Sequence, residues 1–394
     1  MAALKILHIM DGLGVGGAEG QLALLLRYLA REHYAHEVCH VVAQADLVPR
    51  IARLDIPVHD LSAGGRRPVP LALVEFARIA RRFAPGVIHT NGFLANLYGR
   101  LAGRVLGIPV VTTVGNVLLP PPGRTAATGD SLKRRALRAL RGYTGRRWTA
   151  HFVAITEAVK ETVIRAYGMR GEQVSVVYRG LELPPIVLPP AQEIAALRAE
   201  VASVDAWPVL LNVGRLVPQK GQEYLLRALP RIRVAYPHAV LLLVGTGPLE
   251  GAYRNLAGRL AVTPAVRFLG RRVDVGRLLQ VADIFVFPSL FEGTGIALLE
   301  AMAASKPIVA SDAPAIVEVA GEAAVLGPRG DAGWLAEAVV TLASRPEQWP
   351  GLGALARRRV EERFDIAVNA AAFGMVCERV AAIASAPAGA PRMA

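Results

Sequence analysis

Strand-like and helix-like patterns alternate along nearly the whole of this chain, and this alternation constrains its fold more than any other feature. Leu4–Met10 has the mostly apolar composition of a buried strand, and the next segment carries the i, i+3, i+4, i+7 stripe of an amphipathic helix. That stripe consists of Leu22, Leu25, Leu26 and Leu29. The alternation predicts further strands at His36–Ala43, Val87–Thr90, Val110–Val114, Phe152–Ile155, Val174–Val177, Val209–Val213, Val240–Gly245, Val266–Leu269, Ile284–Phe287 and Pro307–Ser311. Strands that alternate with helices pair in parallel sheets, so we predict an α/β fold with doubly wound parallel sheets.

A proline-rich segment divides this pattern into two series. Leu183–Pro190 contains four prolines in eight residues, which cannot continue a helix or a central strand. The length of 394 residues also exceeds what one compact core usually takes. We therefore predict an N-terminal domain over residues 1–183, a linker over 184–200, a C-terminal domain over 201–365 and a helical C-terminal segment with a frayed tail over 366–394.

Composition narrows the class of protein. Hydrophobic residues make up 53% of the chain and charged residues 20%, which fits packed cores and argues against disorder. The two cysteines, Cys39 and Cys377, form neither a disulfide framework nor a metal-binding spacing. Leu4–Met10 is too short and polar for a signal peptide, and no apolar run looks long enough to span a bilayer, so we expect a cytoplasmic protein. The net charge of +13 suits nucleic acid, anionic lipid or phosphorylated small molecules.

Three loops at predicted strand ends carry residues suited to a phosphorylated ligand. The first, Asp11–Glu19, contains Gly12, Gly14 and Gly17 in a G-x-G-x-x-G arrangement, which indicates either a dinucleotide site or a tight turn without a ligand. The second, Gly214–Gly221, carries two cations, Arg215 and Lys220, that can converge on one diphosphate; a solvated surface loop is the alternative.

The third segment holds two carboxylates eight residues apart, Glu292 in the loop before a predicted helix and Glu300 on that helix. In a continuous helix that spacing separates them by about 12 Å, too far for a shared metal or for acid–base work on one bond. It suits two carboxylates that accept hydrogen bonds from opposite ends of one extended ligand. Between them, Gly293–Ile296 present backbone N–H groups at a helix start, where a phosphate would bind.

Taken together, these motifs resemble the retaining glycosyltransferases of family 4, the group 1 class, over nearly the whole chain. The resemblance implies the GT-B fold, in which two Rossmann-like domains face each other across a cleft. It implies also that the helix over 366–394 packs back on the N-terminal domain. The segments that carry it are Gly16–Glu19, Val153–Glu157, Val176–Tyr178, Gly214–Arg215, Lys220–Gly221, Val244–Pro248, Phe268–Gly270, Glu292 and Glu300–Ala303.

The resemblance also implies roles for individual residues. Arg215 and Lys220 would bind the diphosphate of a UDP- or GDP-sugar, and Glu292 would contact the hydroxyls of the donor sugar; these three form the expected catalytic set. Glu300 would accept from the ribose hydroxyls, and the backbone around Arg272 would face the base. The remaining expected donor contacts are Gly16, Gly17, Gly293, Thr294, Gly295 and Ile296.

Retention at the anomeric carbon and catalysis without a metal cofactor are further implications of the resemblance. The sequence contains no Asp-x-Asp, the usual metal-holding motif of the other glycosyltransferase fold, in agreement with the second. The expected acceptor is lipid-linked or a polysaccharide precursor, in cell-surface glycan biosynthesis.

Three positions depart from the family pattern. Gly115 stands where many relatives have a histidine near the reacting sugar, and His89, Asn91 and Asn116 are the candidates to serve the acceptor instead. A packed strand-end histidine is an equally good interpretation of His89. Arg179-Gly180 replaces the usual Asn-Gly, and Ala313–Ala315 replaces a glycine-rich loop.

A basic segment, 124–148, combines eight cations and one acid with leucines and Trp148. Basic and apolar residues together favour an anionic membrane surface, so we expect a peripheral protein at the inner face of the plasma membrane. A solvated basic helix is the alternative, and nucleic acid ranks last because no nucleic-acid-binding motif accompanies the charge.

Other functions explain less of the sequence. A nucleotide-sugar epimerase or hydrolase needs acid–base groups at the anomeric carbon, which the spacing of Glu292 and Glu300 does not supply. A dinucleotide oxidoreductase leaves the second half of the chain unexplained. A non-catalytic membrane scaffold that binds a nucleotide-sugar stays open because the family histidine is missing at Gly115.

Overall fold

Two parallel β-sheets organise the chain, as seen in a computed structural model that describes residues 3–14, 16–30, 32–65, 68–116, 132–183 and 190–385. Two compact units result. Unit 1 contains the residues up to Gly180 together with those from Ile366 onward, and unit 2 contains Leu181–Asp365. Each unit is described here by itself.

Unit 1 holds a seven-stranded parallel sheet in the order β3-β2-β1-β4-β5-β6-β7. Its strands are β1 (Leu4–Met10), β2 (Tyr34–His40), β3 (Val58–Asp60), β4 (Val87–Asn91), β5 (Val110–Val114), β6 (His151–Ala154) and β7 (Val174–Val176). Its helices are α1 (Gly17–Tyr28), α2 (Val48–Ala52), α3 (Val69–Phe83), α4 (Phe93–Leu106), α5 (Leu132–Trp148) and α6 (Glu157–Tyr167). In the register of the central strands, Met10 lies opposite both His40 and Asn91, so three strands end at one level.

Unit 2 holds a six-stranded parallel sheet in the order β10-β9-β8-β11-β12-β13. Its strands are β8 (Val209–Val213), β9 (Val240–Val244), β10 (Val266–Gly270), β11 (Ile284–Phe287), β12 (Ile308–Ser311) and β13 (Val325–Gly327). Its helices are α7 (Ala191–Val201), α8 (Gln222–Ala235), α9 (Glu250–Arg259), α10 (Val275–Val281), α11 (Ile296–Ala303), α12 (Pro314–Ala320), α13 (Ala332–Ala343) and α14 (Trp349–Arg363).

Both sheets follow the strand order 3-2-1-4-5-6, with one extra strand in unit 1. The prediction of two doubly wound, Rossmann-like parallel-sheet domains is therefore confirmed. The order reverses between β1 and β4 in unit 1 and between β8 and β11 in unit 2. Sheets of this kind bind ligands at that reversal, beyond the carboxyl ends of the strands, so the loops after these four strands are where a site is expected.

The range predicted as a linker, 184–200, has a different character where the structure describes it. Residues 184–189 lie outside the described residues, and Ala191–Val201 forms helix α7 of unit 2. Arg198 holds this helix in place, because its guanidinium donates to the carbonyls of Val281 and Ala206, each at 2.7 Å. It also forms a half-buried ion pair with Asp283 at 2.9 Å. Helix α7 is thus part of a folded domain, which the preceding prolines conceal in the sequence.

The C-terminal helix α15 (Ile366–Ser385) belongs to unit 1. Its buried face, which includes Phe373 and Cys377, packs in a core cluster with Ile6 and Val87 of the sheet. Among the described residues, α15 is the one helix long and apolar enough to cross a membrane by length and composition, with 44% of the tested window buried inside the protein. By length and composition alone, this corrects the expectation that no apolar run is long enough to span a bilayer.

Candidate functional site

The loop after β8 carries Arg215, which is exposed, between the half-buried Gly214 and the buried Leu216. A Cβ on Gly245, just after β9, would collide with the carbonyl oxygen of Gly214, and one on Gly247 would collide with that of Leu216. Gly245 also has φ of +129°, which disfavours any residue with a side chain. The loops after β8 and β9 therefore touch backbone to backbone, and this contact fixes the point from which Arg215 projects.

Lys220 and Glu292 form an ion pair, with Lys220 Nζ 2.5 Å from Glu292 Oε1. Glu292 is buried, with 6% of its side chain exposed, and Lys220 is 20% exposed. Lys220 Nζ also lies 5.6 Å from the centre of the Phe287 ring, at the end of β11. A cation and a carboxylate predicted from two separate loops are thus brought into direct contact at the carboxyl ends of β8 and β11.

Backbone and amide contacts hold these two loops together. The Leu290 N–H donates to the carbonyl of Gln219 at 2.8 Å, and the Gln219 side-chain amide donates to the carbonyl of Phe291 at 2.9 Å. Gly221, with φ of +66°, approaches the carbonyl of Pro288 so closely that a Cβ would collide with it. The Lys220–Glu292 pair is therefore preorganised by the surrounding chain.

Helix α11 begins at Ile296, and its N-terminus faces the end of the loop that contains Glu292. Gly295 adopts φ of +82°, and a Cβ there would lie 3.0 Å from the ring of Phe287. Intrahelical hydrogen bonds start with Leu298 and Leu299, which both donate to the carbonyl of Gly295. The earlier N–H groups lie outside this ladder and give the helix start its partial positive charge.

Glu300 lies on α11, and burial raises the pKa of its carboxyl group to about 7. Within the part of the chain that the structure describes, no hydrogen bond or ion pair reaches this carboxylate. A partly buried carboxylate with a raised pKa gains from hydroxyl donors, so this position is suited to a ligand that supplies hydroxyl groups.

Arg272 follows β10 at the edge of the same sheet and is held by Asp274. Its guanidinium donates to both carboxylate oxygens of Asp274, at 2.8 and 2.7 Å. The backbone before it is fixed by Gly270, which has φ of +62° and accepts from the Gly245 N–H at 2.7 Å. Four candidates from unit 2 thus lie in the loops after β8, β10 and β11, and the fifth, Glu300, lies on α11, the helix that follows β11; the four are Arg215, Lys220, Arg272 and Glu292.

Three residues beside these loops that the sequence analysis did not identify as site residues carry buried polar atoms. Asn212 Oδ1, Gln222 Oε1 and Ser289 Oγ have no hydrogen-bond partner among the described residues. The other amide atoms of these side chains brace the loops, since Asn212 donates to the carbonyl of Val286 at 2.8 Å and Gln222 to that of Arg215 at 3.1 Å. An asparagine inside the apolar run of β8 was the signal available for the first of them.

In unit 1, the glycine loop leads into α1, with Gly16 as the residue before the helix and Gly17 as its first residue. Val15 lies outside the described residues. A Cβ on Gly16 would collide with the carboxylate of Glu19. Asp11, at the start of the loop, accepts from the N–H groups of Phe93 and Ala95 at 2.6 and 2.8 Å and so caps α4.

His89 lies in a buried row of hydrogen-bonded side chains from four adjacent strands. His89 Nε2 is 2.8 Å from Thr113 Oγ1 on β5, and His89 Nδ1 is 2.9 Å from His8 Nδ1 on β1. His8 Nε2 is 3.1 Å from His36 Nδ1 on β2. Burial lowers the pKa of His89 to about 3 and lowers that of His8 as well, so both rings are neutral near pH 7.

Two of the three acceptor candidates line a small pocket of about 60 Å³ in unit 1, partly open to solvent. His89 and Asn91 contribute to its wall, whereas Asn116 is not among the lining residues. Arg179 lines the same pocket, and its Nη2 atom is 2.6 Å from the point that a Cβ on Gly115 would occupy. Two departures from the expected sequence pattern, Gly115 and Arg179, therefore meet at one place.

The basic segment 124–148 is described only in part, since residues 117–131 lie outside the described residues. Helix α5 exposes Leu140 and Tyr143, at 42% and 56%, beside the exposed Arg147. Arg141 instead donates to the Tyr167 hydroxyl at 2.9 Å, and Arg146 donates to the Tyr167 carbonyl at 2.8 Å. Part of the predicted basic surface is thus engaged in holding α5 against α6.

Comparison with known proteins agrees with the fold. Residues 15–183 match the family model described as Glycosyltransferase Family 4, and residues 207–345 match the one described as Glycosyl transferases group 1. The protein HepE of Anabaena, in complex with UDP-glucose, has a TM-score of 0.80 at 22% identity, covering 95% of this chain and 100% of that one. This likeness shows the fold.

Two curated relatives are similar over shorter stretches. A GDP-mannose-dependent monoacylated alpha-(1-6)-phosphatidylinositol monomannoside mannosyltransferase of Corynebacterium glutamicum is 36% identical over 180 residues, which are 43% of this chain and 47% of that protein. A UDP-Gal:alpha-D-GlcNAc-diphosphoundecaprenol alpha-1,3-galactosyltransferase of Escherichia coli is 26% identical over 249 residues, which are 61% of each. The matches therefore span about half to three fifths of the length of these relatives.

Proposed function

Because this chain belongs to the group 1 glycosyltransferases with the GT-B fold, we propose that it transfers a sugar from a nucleoside-diphosphate-sugar donor to an acceptor hydroxyl. The observation that carries the proposal is the contact between Lys220 and Glu292 at the strand-order reversal of unit 2, with Arg215 on the same loop as Lys220 and α11 beginning just after Glu292. Two cations and a helix N-terminus beside one buried carboxylate match a diphosphate joined to a polyhydroxylated ring.

In the proposed reaction, the bond between the anomeric carbon and the diphosphate breaks while the acceptor oxygen forms a new bond to that carbon, and the proton of the acceptor hydroxyl passes to the leaving diphosphate. The leaving diphosphate gains negative charge, which Arg215, Lys220 and the N-terminus of α11 stabilise. Glu292, held by Lys220, accepts hydrogen bonds from the donor sugar and so orients it.

Glu300 is proposed to accept from the ribose hydroxyls of the nucleotide. Its carboxylate has no partner in the described part of the chain, and burial raises its pKa to about 7. Two hydroxyl donors would stabilise the charged form and lower the pKa again. The backbone near Arg272, at the edge of the same sheet, is the proposed contact for the base.

Retention at the anomeric carbon and the absence of a metal requirement are part of the proposal. Both rest on the family resemblance of the motifs. The second has a further argument, because Arg215, Lys220 and the start of α11 supply positive charge where a metal-dependent enzyme uses a metal cation. A UDP- or GDP-sugar is the proposed donor, because the similar proteins named above use UDP-Gal or GDP-mannose or bind UDP-glucose.

The proposed acceptor is a lipid-linked saccharide or a polysaccharide precursor in cell-surface glycan biosynthesis. The two relatives are named for a phosphatidylinositol monomannoside and a diphosphoundecaprenol acceptor, respectively. Exposed Leu140, Tyr143 and Arg147 on α5 support a peripheral contact with an anionic membrane at the cytoplasmic face.

The experiment that tests the donor class is differential scanning fluorimetry of the full chain with UDP-, GDP-, ADP- and dTDP-sugars, NAD and NADP, in EDTA. A ligand that binds the folded state raises the melting temperature, and we expect this with one nucleotide-sugar. Lys220→Ala and Glu300→Gln should abolish the shift, whereas Arg227→Ala, an exposed residue on α8 of the same unit, should keep it.

Stabilisation by NAD or NADP alone would contradict the proposal and favour a dinucleotide enzyme. Product analysis with the stabilising donor separates the remaining alternatives. Transfer to an acceptor supports the transferase, release of free sugar or its epimer indicates a hydrolase or epimerase, and binding without turnover indicates a scaffold.

A further inference from the structure

The glutamine at the start of α8 uses only one end of its buried amide. Gln222 is fully buried, with 0% of the residue exposed. Its Nε2 atom donates to the carbonyl of Arg215 at 3.1 Å, whereas its Oε1 atom has no hydrogen-bond partner among the described residues. A buried acceptor without a partner lowers stability, and an apolar side chain of the same shape avoids that loss. Stability alone therefore does not explain a glutamine at this place.

The hydrogen bond from Gln222 closes the loop that carries both cations of the candidate site. It joins residues seven apart, from Arg215 just after β8 to the first residue of α8, and Lys220 lies between them. The Cγ and Cδ atoms of Lys220 lie 3.5 Å from the point that a Cβ on Gly214 would occupy, and Gln222 Nε2 lies 3.7 Å from it. The stem of Lys220 and the amide of Gln222 thus pack against the same piece of backbone.

The peptide group between Arg215 and Leu216 is held at both ends. Its N–H donates to the carbonyl of Thr246 at 3.0 Å. Its carbonyl accepts from Gln222 Nε2 at 3.1 Å and from the Val217 N–H at 2.9 Å. A planar peptide group that is bonded on two opposite sides cannot rotate without breaking one of these bonds. The backbone from which the Arg215 side chain projects is therefore fixed partly by a side chain of α8.

We propose that Gln222 is a positioning residue for the donor diphosphate, which it serves by holding the Arg215 carbonyl so that the guanidinium stays beside Lys220. The inference rests on the proposed function, because it takes Arg215 as a contact of that diphosphate. Gln222 acts through Arg215, since a fully buried side chain does not touch the ligand. The unpartnered Oε1 atom accompanies the bond made by Nε2, so the chain loses some stability where it gains orientation.

Gln222→Met tests the inference, because methionine keeps the length of the side chain and removes the amide. The Arg215 carbonyl retains its bond from the Val217 N–H, and the unpartnered oxygen is removed. We therefore expect a melting temperature equal to or above that of the unmodified chain. Isothermal titration of the full chain with UDP and with GDP should show about tenfold weaker binding of the nucleotide that the unmodified chain binds. Gln280→Met, at a half-buried glutamine on α10 of the same unit, is the matched control and should bind like the unmodified chain.

A double-variant cycle with Arg215→Ala separates positioning from a general structural role. Arg215→Ala retains Lys220 and the start of α11 for residual nucleotide binding. In that background Gln222→Met should change the binding by less than about twofold, because the group it positions is gone.

Three outcomes overturn the inference: unchanged nucleotide binding in Gln222→Met, an equally large effect of this variant in the Arg215→Ala background, or weaker binding accompanied by a lower melting temperature. If the unmodified chain binds neither UDP nor GDP, the proposed donor class fails, and the inference fails with it. If the unmodified chain binds one of them and Gln222→Met binds it equally well, the inference alone fails.

Discussion

Lys220 Nζ lies 2.5 Å from Glu292 Oε1, so the cation expected to bind the diphosphate and the carboxylate expected to bind the sugar are each other's counter-ions. The two residues come from loops after different strands, β8 and β11. Their contact makes the two halves of the candidate site interdependent, because loss of Lys220 leaves the buried Glu292 carboxylate without its counter-ion.

Lys220→Ala should therefore lower stability as well as donor binding. The variant leaves the buried Glu292 carboxylate unpaired, and we expect a loss of about 2 kcal/mol in the free energy of unfolding by urea. The double variant Lys220→Ala, Glu292→Gln should recover most of this stability and none of the transfer activity. Equal stability of the single and double variants would contradict the proposed coupling.

Glu300 should make stability fall as the pH rises. Burial raises the pKa of this carboxyl group in the folded state to about 7, above its ordinary value of 4.5, so the folded protein binds the extra proton. The contribution is fully present below pH 4.5 and is lost as the pH rises through 7, with an upper bound of about 3 kcal/mol. Urea unfolding at several pH values between 5 and 8 measures it.

Glu300→Gln is the matched variant for that titration, since it keeps the shape and removes the ionisation. Its stability should be flatter than that of the unmodified chain between pH 5 and 8, and it should exceed it at pH 8. Donor binding should be lost in the variant. In the unmodified chain the donor should bind more tightly at pH 8 than at pH 6, because hydroxyl donors favour the carboxylate. Parallel stability curves for the two proteins would rule out a role for Glu300 in the pH dependence.

Gly245→Ala should disrupt the loops around Arg215. A Cβ at this residue would collide with the carbonyl of Gly214, and φ of +129° is unfavourable for alanine. We expect a loss of about 3 kcal/mol in unfolding free energy together with weaker donor binding. Gly251→Ala, in α9 with no atom within 4 Å of the new Cβ, should stay within about 1 kcal/mol of the unmodified chain.

The exposed end of α5 should contribute to binding of anionic vesicles. Arg147→Ala should weaken co-sedimentation with phosphatidylglycerol vesicles about fivefold, as expected for one charge near the surface. About 0.5 M salt should reduce this difference between the variant and the unmodified chain, because salt screens the attraction. Arg104→Ala, exposed on α4 of the same unit, is the control. If the unmodified chain binds phosphatidylcholine vesicles equally well, electrostatic attraction is not the cause.

The hydrophobic pattern was sufficient to predict the two parallel sheets, because each central strand is a short apolar run between turn signals. The strands β3 (Val58–Asp60) and β13 (Val325–Gly327) were not predicted, since three residues at a sheet edge show no periodicity. Helix α7 was missed because the prolines before it suggested a linker through residue 200.

Within the site, the loops were predictable and the contacts between them were not. Lys220 and Glu292 are 72 residues apart, and only the strand order brings their loops together. The separation of about 12 Å between Glu292 and Glu300 holds only for a continuous helix. In the structure α11 begins at Ile296, so Glu292 lies in the preceding loop and that distance does not apply. The contact between Gly115 and Arg179 similarly required the fold, although each residue stood out in the sequence.

The buried row from Thr113 through His89 and His8 to His36 has a direction. A neutral imidazole has one donor and one acceptor nitrogen, so each ring that donates to one neighbour must accept from the other. If His89 donates to His8, then His8 donates to His36 and Thr113 donates to His89; reversing one bond reverses them all. The row therefore has two alternative hydrogen-bond arrangements across four strands. The tautomer of His36 on β2 is linked to whether the Thr113 hydroxyl, in the pocket wall, donates or accepts the hydrogen bond with His89.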